Sequence, residues 1–220
     1  MNKSVYGVYG TGGCGRGVIS IAKFQLESLG FDLDRLVFID DFNFNQKVNG
    51  FKVVSFEQFL KIEASEKYIA IAISDSKARK KLHQNLINND IKLWSLKASN
   101  TLIMDNNQIG EGSILSPFVS ITSNISIGVC FHGNLYSYVE HDCIIGDYVT
   151  FAPGVKCNGN IIIGNHAYIG SGAVIKNGTK EKPLVIAENA IIGMGAVVID
   201  DVPSGATVVG NPAKILKAKL

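Results

Sequence analysis

Two hydrophobic periods divide the chain. Through the first hundred residues, short β-rich runs alternate with helical ones: VYGVYG (5–10), Arg16 to Leu29, LVFID (36–40), a helical SFEQFLKI (55–62), YIAIAI (68–73), a charged helix from Asp75 to Asn88, and IKLWSL (91–96). This alternation predicts a wound α/β domain with a parallel sheet. In its first helix Val18, Ile21, Ala22 and Leu29 fall mainly on one face, while Ser20, Lys23 and Glu27 look outward.

From Ile109 the period becomes six: Ile109, Leu115, Ile121, Ile127, Gly133, Val139, Ile145, Phe151, Cys157, Ile163, Ile169 and Ile175, with Gly133 alone lacking an apolar side chain. The next position is often small or polar (Gly110, Ser116, Gly128, Gly146, Ala152, Gly164, Gly170), which suits a tight corner between short strands. Six residues make one flat strand plus a turn, so three repeats close a triangular coil with the large apolar residues stacked inside. After Asn177 the register breaks through Gly178 to Pro183 and resumes one step out of phase at Ile186, Ile192 and Val198, which predicts an external loop. The expected organisation is an α/β domain over 1–100 and a parallel β-helix over 101–220. Flat prism faces also favour packing of copies around a three-fold axis.

Composition narrows the partners. A net charge of +2 and the absence of basic runs interleaved with aromatics argue against nucleic acid. No segment approaches the roughly 18 apolar residues of a spanning helix, and no signal-peptide pattern precedes the first strand, so a cytoplasmic protein without membrane insertion is expected. Cys14, Cys130, Cys143 and Cys157 show no CxxC spacing and read as reduced packing thiols, with no metal site expected.

Two constellations carry chemistry. Gly10-Thr11-Gly12-Gly13-Cys14-Gly15 follows the first strand and opens the first helix, the GxGxxG context in which backbone amides face a phosphate. Asp40 and Asp41 end the second strand, where a carboxylate meets ribose hydroxyls or base edges, and Ile73 and Ser74 lie on the same sheet edge. The sheet is too short for a full dinucleotide fold, so a nucleotide with a small appendage fits better than NAD. Among the histidines, His83, His132 and His166 read as structural. His141 differs, with acids on both sides in Val139-Glu140-His141-Asp142-Cys143 and Gly159 one coil later, where a glycine leaves room for a ligand. Neutral imidazole suits removal of a nucleophile's proton during acyl transfer from a thioester. Asp142 and Glu140 are both open as its carboxylate partner, because neighbouring strand residues point to opposite faces.

Through YGTGGCGRG, VFIDD, EHDCIIGDYV, APGVKCNGNIIIG and the closing VVGNPAKILK, essentially the whole chain resembles the bacterial sialic acid O-acetyltransferases and nucleotide-linked 4-amino-sugar N-acetyltransferases of the hexapeptide-repeat transferases. The resemblance implies a Rossmann-like N-terminal domain that holds the nucleotide sugar and a left-handed parallel β-helix. It also implies a homotrimer with acetyl-CoA between neighbouring subunits, acting in surface-glycan (O-antigen, lipopolysaccharide) synthesis. It makes His141 the general base and Asp142 the residue raising its basicity. Thr11, Gly12, Gly13, Asp40 and Asp41 match the nucleotide-sugar pocket, Asn134 lies near the reacting sugar, and Gly159, Ser171 and Met194 contact acetyl-CoA. Thr150 stands where many relatives carry a second histidine against the acetyl donor; it can donate a hydrogen bond but no charge. The expected activity is acetyl transfer to a UDP- or dTDP-linked 4-amino-4,6-dideoxy sugar. The rivals are an O-acetyltransferase, a catalytically silent nucleotide-sugar-binding scaffold, and a metal hydratase, for which too few histidines converge.

Overall fold

The computed structural model describes residues 4–216, and the chain divides between Ser99 and Asn100 into two compact units. The first contains β1 (Val5–Tyr9), α1 (Gly13–Ser28), β2 (Leu36–Ile39), β3 (Gln46–Val48), β4 (Phe51–Val54), α2 (Phe56–Leu60), β5 (Lys67–Ile71), α3 (Ser76–Asn88) and β6 (Lys92–Leu93). Their order across the sheet is β3-β4-β2-β1-β5-β6. The chain winds outward from β1 through β2 to β4 and then crosses back to lay β5 on the other side of β1. That reversal makes the β1/β5 edge the topological switch point, where open α/β sheets hold their ligands. β1, β2 and most of β5 are buried, as expected of strands covered on both faces.

Two details depart from the sequence reading. The sheet is not wholly parallel: β3 and β4 form an antiparallel hairpin in which Val48 faces Phe51. Its turn is Asn49-Gly50 with φ of 49° and 84°, the left-handed pair that a two-residue hairpin demands. Leu29 is not on the buried face of α1; the helix ends at Ser28 and Leu29 is 64% exposed. Ile19 and Leu26 take part in the buried stripe instead.

In the second unit the two-residue strands up to Cys157 pair in parallel with the strand eighteen residues on, as Tyr138 does with Lys156 and Ile144 with Ile162. The six-residue row of large side chains fills the prism: Ile121, Val139, Phe151, Cys157, Ile163, Ile169 and Ile175 are essentially inaccessible. Gly133 breaks the row because the Phe131 and Phe151 rings, meeting edge-on at 5.2 Å, already occupy that level; a Cβ there would lie 3.0 Å from Phe131. Corners recur with left-handed backbone. One line runs through Asn106, Asn124, Asp142 and Asn160, another through Phe118, Tyr136, Gly154 and Gly172. Ile145 pairs with Ile163, eighteen residues on, whereas Ile163 pairs with Ile186, twenty-three on. The five extra residues, 179–183, form the external loop expected from the register break, closed by hydrogen bonds between Thr179 and Lys182.

Candidate functional site

In the first unit the loops after β1, β2 and β5 meet at the switch point. Gly10 has φ +108° and packs against the loop after β5: a Cβ on it would lie 2.7 Å from Ile73 Cδ1. At Gly15 a Cβ would lie 1.8 Å from the Gly10 carbonyl oxygen, so α1 approaches β1 more closely than any side chain allows. Gly12 and Gly13, by contrast, face open space. Gly12 caps α1 without a side-chain bond and the first turn carries no acidic residue, so its amides and positive dipole end are not answered by the helix's own side chains.

The two aspartates after β2 do different work. Thr11 Oγ1 donates to Asp40 Oδ2, and Asp40 Oδ1 accepts from the Phe42 and Asn43 amides at 3.0 Å each. Burial pushes the Asp40 carboxyl up, but these hydrogen bonds outweigh it and leave it below the usual carboxylate value. Asp41 accepts the Tyr9 hydroxyl and, at 2.7 Å, the Phe56 amide, tying β1 to the start of α2. Burial and the neighbouring Asp41 carboxylate raise the Tyr9 phenol well above its ordinary pKa. Thr11, Gly12, Gly13, Asp40, Asp41, Ile73 and Ser74 are therefore one cluster at one sheet edge. Tyr9 and Arg79 were missed by sequence reading. Arg79 lies on α3, fully buried, and its Nη1 donates to the Ile73 carbonyl at 3.0 Å and the Ser74 carbonyl at 2.9 Å. The signal for it was its position seven residues before Leu86, on the buried stripe of an otherwise charged helix.

In the second unit His141 and Asp142 share a corner. Asp142 has φ +58°, and this left-handed kink breaks strand alternation, bringing its carboxylate to 2.8 Å from His141 Nδ1. Both side chains are about half exposed. Glu140, one residue earlier on the regular strand side, is not the partner. Gly159 lies directly beneath the imidazole: a Cβ there would stand 2.5 Å from Cε1 and 2.6 Å from Nε2. The room expected there for a ligand is taken by the ring itself. The Asn160 amide donates to the His141 carbonyl at 3.0 Å, and the Gly178 amide to the Gly159 carbonyl at 3.0 Å, so the base of the external loop stitches onto the same corner. The loop separates two openings. A groove of about 690 Å³ lies on the Asp142 side, lined by Asp142, Asn160, Lys180 and Pro183 among others, and a hollow of about 710 Å³ on the other, walled by Lys176, Thr179, Lys182 and Asp200.

The remaining expected residues are not gathered at this corner. Ser171 and the 82%-exposed Met194 are neighbours, the Gly195 amide donating to the Ser171 carbonyl, but they occupy the corner at the opposite edge of the face that begins at Tyr138. Asn134 belongs to that same far corner, its side chain donating to the Phe151 carbonyl at 2.6 Å. Thr150 is 5% exposed on another face, between His132 and Tyr168. Its hydroxyl therefore does not reach His141 within one chain. His132 is buried and His166 stacks on Tyr148, ring centroids 5.0 Å apart. Among the described residues, no group of three or more His, Cys, Asp or Glu side chains is placed to hold a metal ion, and no helix is long and apolar enough to cross a membrane.

Comparison with known proteins places this geometry. Residues 7–86 match the PglD N-terminal domain family. The chain is 49% identical over 215 residues to GDP-perosamine N-acetyltransferase of Escherichia coli O157:H7, covering 97% of each protein. The solved structure of WeeI from Acinetobacter baumannii AYE is 50% identical and superposes with a TM-score of 0.95 over 97% of this chain and all of that one. The acetyltransferase domain of PglB from Neisseria gonorrhoeae FA1090, solved in complex with acetyl coenzyme A, is 27% identical with a TM-score of 0.85, covering 98% of this chain and all of that one. The fold is the expected one, a Rossmann-like domain followed by a left-handed parallel β-helix, and the chain belongs to the hexapeptide-repeat sugar acetyltransferases.

Proposed function

We propose that the protein transfers the acetyl group of acetyl-CoA directly to the amino group of a nucleotide-linked 4-amino-4,6-dideoxy sugar, with His141 as general base. The observation that carries this reading is the imidazole seated on Gly159 with Nδ1 2.8 Å from Asp142. A carboxylate accepting from Nδ1–H leaves Nε2 as the basic nitrogen and stabilises the imidazolium that forms. Nε2 takes the proton from the sugar amine as the nitrogen attacks the thioester carbonyl. Backbone amides stabilise the tetrahedral oxyanion, and its collapse expels CoA as a thiolate that recovers the proton from His141. No acetyl-enzyme is involved: Cys143 and Cys157 are buried behind the corner, at 1% and 0% exposure, and act as packing thiols. Holding donor and acceptor together supplies much of the barrier reduction.

The nucleotide sits at the β1/β5 edge, on Thr11, Gly12, Gly13, Asp40, Asp41, Ile73 and Ser74. Because the relative at 49% identity is named for a GDP-linked sugar, guanosine diphosphate is placed ahead of UDP and dTDP as the carrier. Acetyl-CoA takes Gly159, Ser171 and Met194 as its contacts, and the assembly is a homotrimer. Asn134 and Thr150, set apart from His141 within one chain, approach the reacting groups only from a neighbouring copy.

The test is thiol release from acetyl-CoA with GDP-, UDP-, dTDP- and CMP-linked sugars, for wild type and His141→Ala. Turnover with one amino sugar, reduced about 10²–10⁴-fold in the variant, is the expected result. Turnover with the hydroxyl analogue alone would move the assignment to O-acetylation, and an unaffected variant would remove His141 as base.

A further inference from the structure

We infer that Arg79 is a positioning residue for the diphosphate of the bound nucleotide, acting from beneath the β1/β5 edge without touching it; this rests on the nucleotide-sugar reading above. A guanidinium is costly to bury, yet Arg79 is wholly inaccessible. The carbonyls it holds and the charge it brings both bear on the loops of that edge.

Geometry supplies the first part. In a planar trans peptide the carbonyl of one residue and the amide of the next point in opposite directions. Arg79 draws the Ile73 and Ser74 carbonyls toward the domain interior. The amides of Ser74 and Asp75 are thereby turned away from it. Arg16 does the same at the adjoining loop: its Nη1 donates to the Thr11 carbonyl at 3.1 Å, which turns the Gly12 amide away. Each loop of the switch point thus has a carbonyl held by an arginine and the following amide turned away from that arginine, which leaves amides free to meet an anion. These loops are in contact, since Ile73 packs against Gly10.

Charge supplies the second part. Asp40 and Asp41 stand at the neighbouring strand end and would repel a diphosphate. Arg79 places a positive charge beneath the β1/β5 edge, in a region of low dielectric where its field is weakly screened. Its influence reaches the first turn of α1: burial raises the Cys14 thiol, and Arg79 is the charge that opposes the rise.

The experiment is calorimetric titration of the full-length protein with GDP, GMP and guanosine, for wild type, Arg79→Met and Arg79→Lys, alongside the acetyl-CoA KM and the thermal midpoint of each. Arg79→Met should raise the GDP Kd at least tenfold, leave the guanosine Kd within about twofold and leave the acetyl-CoA KM unchanged; Arg79→Lys, which keeps charge but cannot span both carbonyls as a planar fork, should fall between. An equal loss for GDP and guanosine would mean Arg79 only supports the fold, and an unchanged GDP Kd in a folded variant would overturn the inference outright. Should Arg79→Met not fold, the Lys variant decides by the same GDP-to-guanosine ratio. Wild-type protein that binds no nucleoside diphosphate of any base would instead remove the underlying nucleotide-sugar reading.

Discussion

The proposed role of His141 as general base asks for a seat for its imidazole as much as for a partner, and Gly159 is where that ring rests. A methyl at 159 would stand 2.5 Å from Cε1 of His141. The obstructing atoms are the end of a rotatable side chain, so the ring, not the coil, gives way. Gly159→Ala is therefore expected to fold with a thermal midpoint close to wild type but to lose about 10²-fold in kcat, the cost of misplacing a catalytic group by about an ångström. Circular dichroism melts and steady-state kinetics check it, and full activity in the variant would show that ring placement is not limiting. Asp142→Asn keeps the size but can present its amide to Nδ1 and favour the wrong tautomer; kcat should fall about 10-fold or more with little change in melting. That His141 has a carboxylate neighbour was legible in the sequence because acids flank it. Which acid serves was not, since that depends on a positive φ at Asp142 that no residue pattern announces. Gly159 was noticed for its spacing, but whether ring or ligand fills the space above it is a matter of coil stacking.

At the scale of elements, the loop after β2 couples fold to site. Asp40 has a lower carboxyl pKa folded than unfolded, because Thr11 and two amides favour its ionised form over the opposing effect of burial. The stability this contributes is complete above the unfolded value of about 4 and is lost as pH falls through the folded value. Asp40→Asn should accordingly melt below wild type at neutral pH, with the difference closing as pH is taken from 5 to 3; a gap that stays constant would show that the charge is not responsible. The glycine turn and both aspartates were legible because they follow strand ends whose apolar runs are unmistakable. The β3–β4 hairpin escaped because its strands are short and half polar, although Asn49-Gly50 carried the signal for it. Arg79 was illegible for a different reason: burial of a cation on a charged helix contradicts the residue type, and only tertiary packing reveals it.

Across the whole molecule, the six-residue period made the β-helix plain because each coil repeats the demand of the one before it, and stability in such a stack is nearly a sum of neighbour terms. Residues 179–183 lengthen one coil without breaking the stack, since Ile186 still pairs with Ile163. The fold does not need them: the Gly178 amide bonds the Gly159 carbonyl with the same nineteen-residue offset that links Asn160 to His141, and the strand after the loop rejoins at Leu184. What the loop does is stand between the groove beside Asp142 and the hollow beyond, contributing Lys180 to one and Lys182 to the other. Excising 179–183 restores the eighteen-residue coil, so the shortened protein should be soluble and melt within a few degrees of the parent. Its kcat/KM for acetyl transfer should fall at least about tenfold, because the wall that Lys180 and Pro183 give the groove beside Asp142 is gone. Unimpaired transfer would assign the loop to spacing alone, while a collapse in melting temperature would show that the break in period holds the coils together instead of shaping the site.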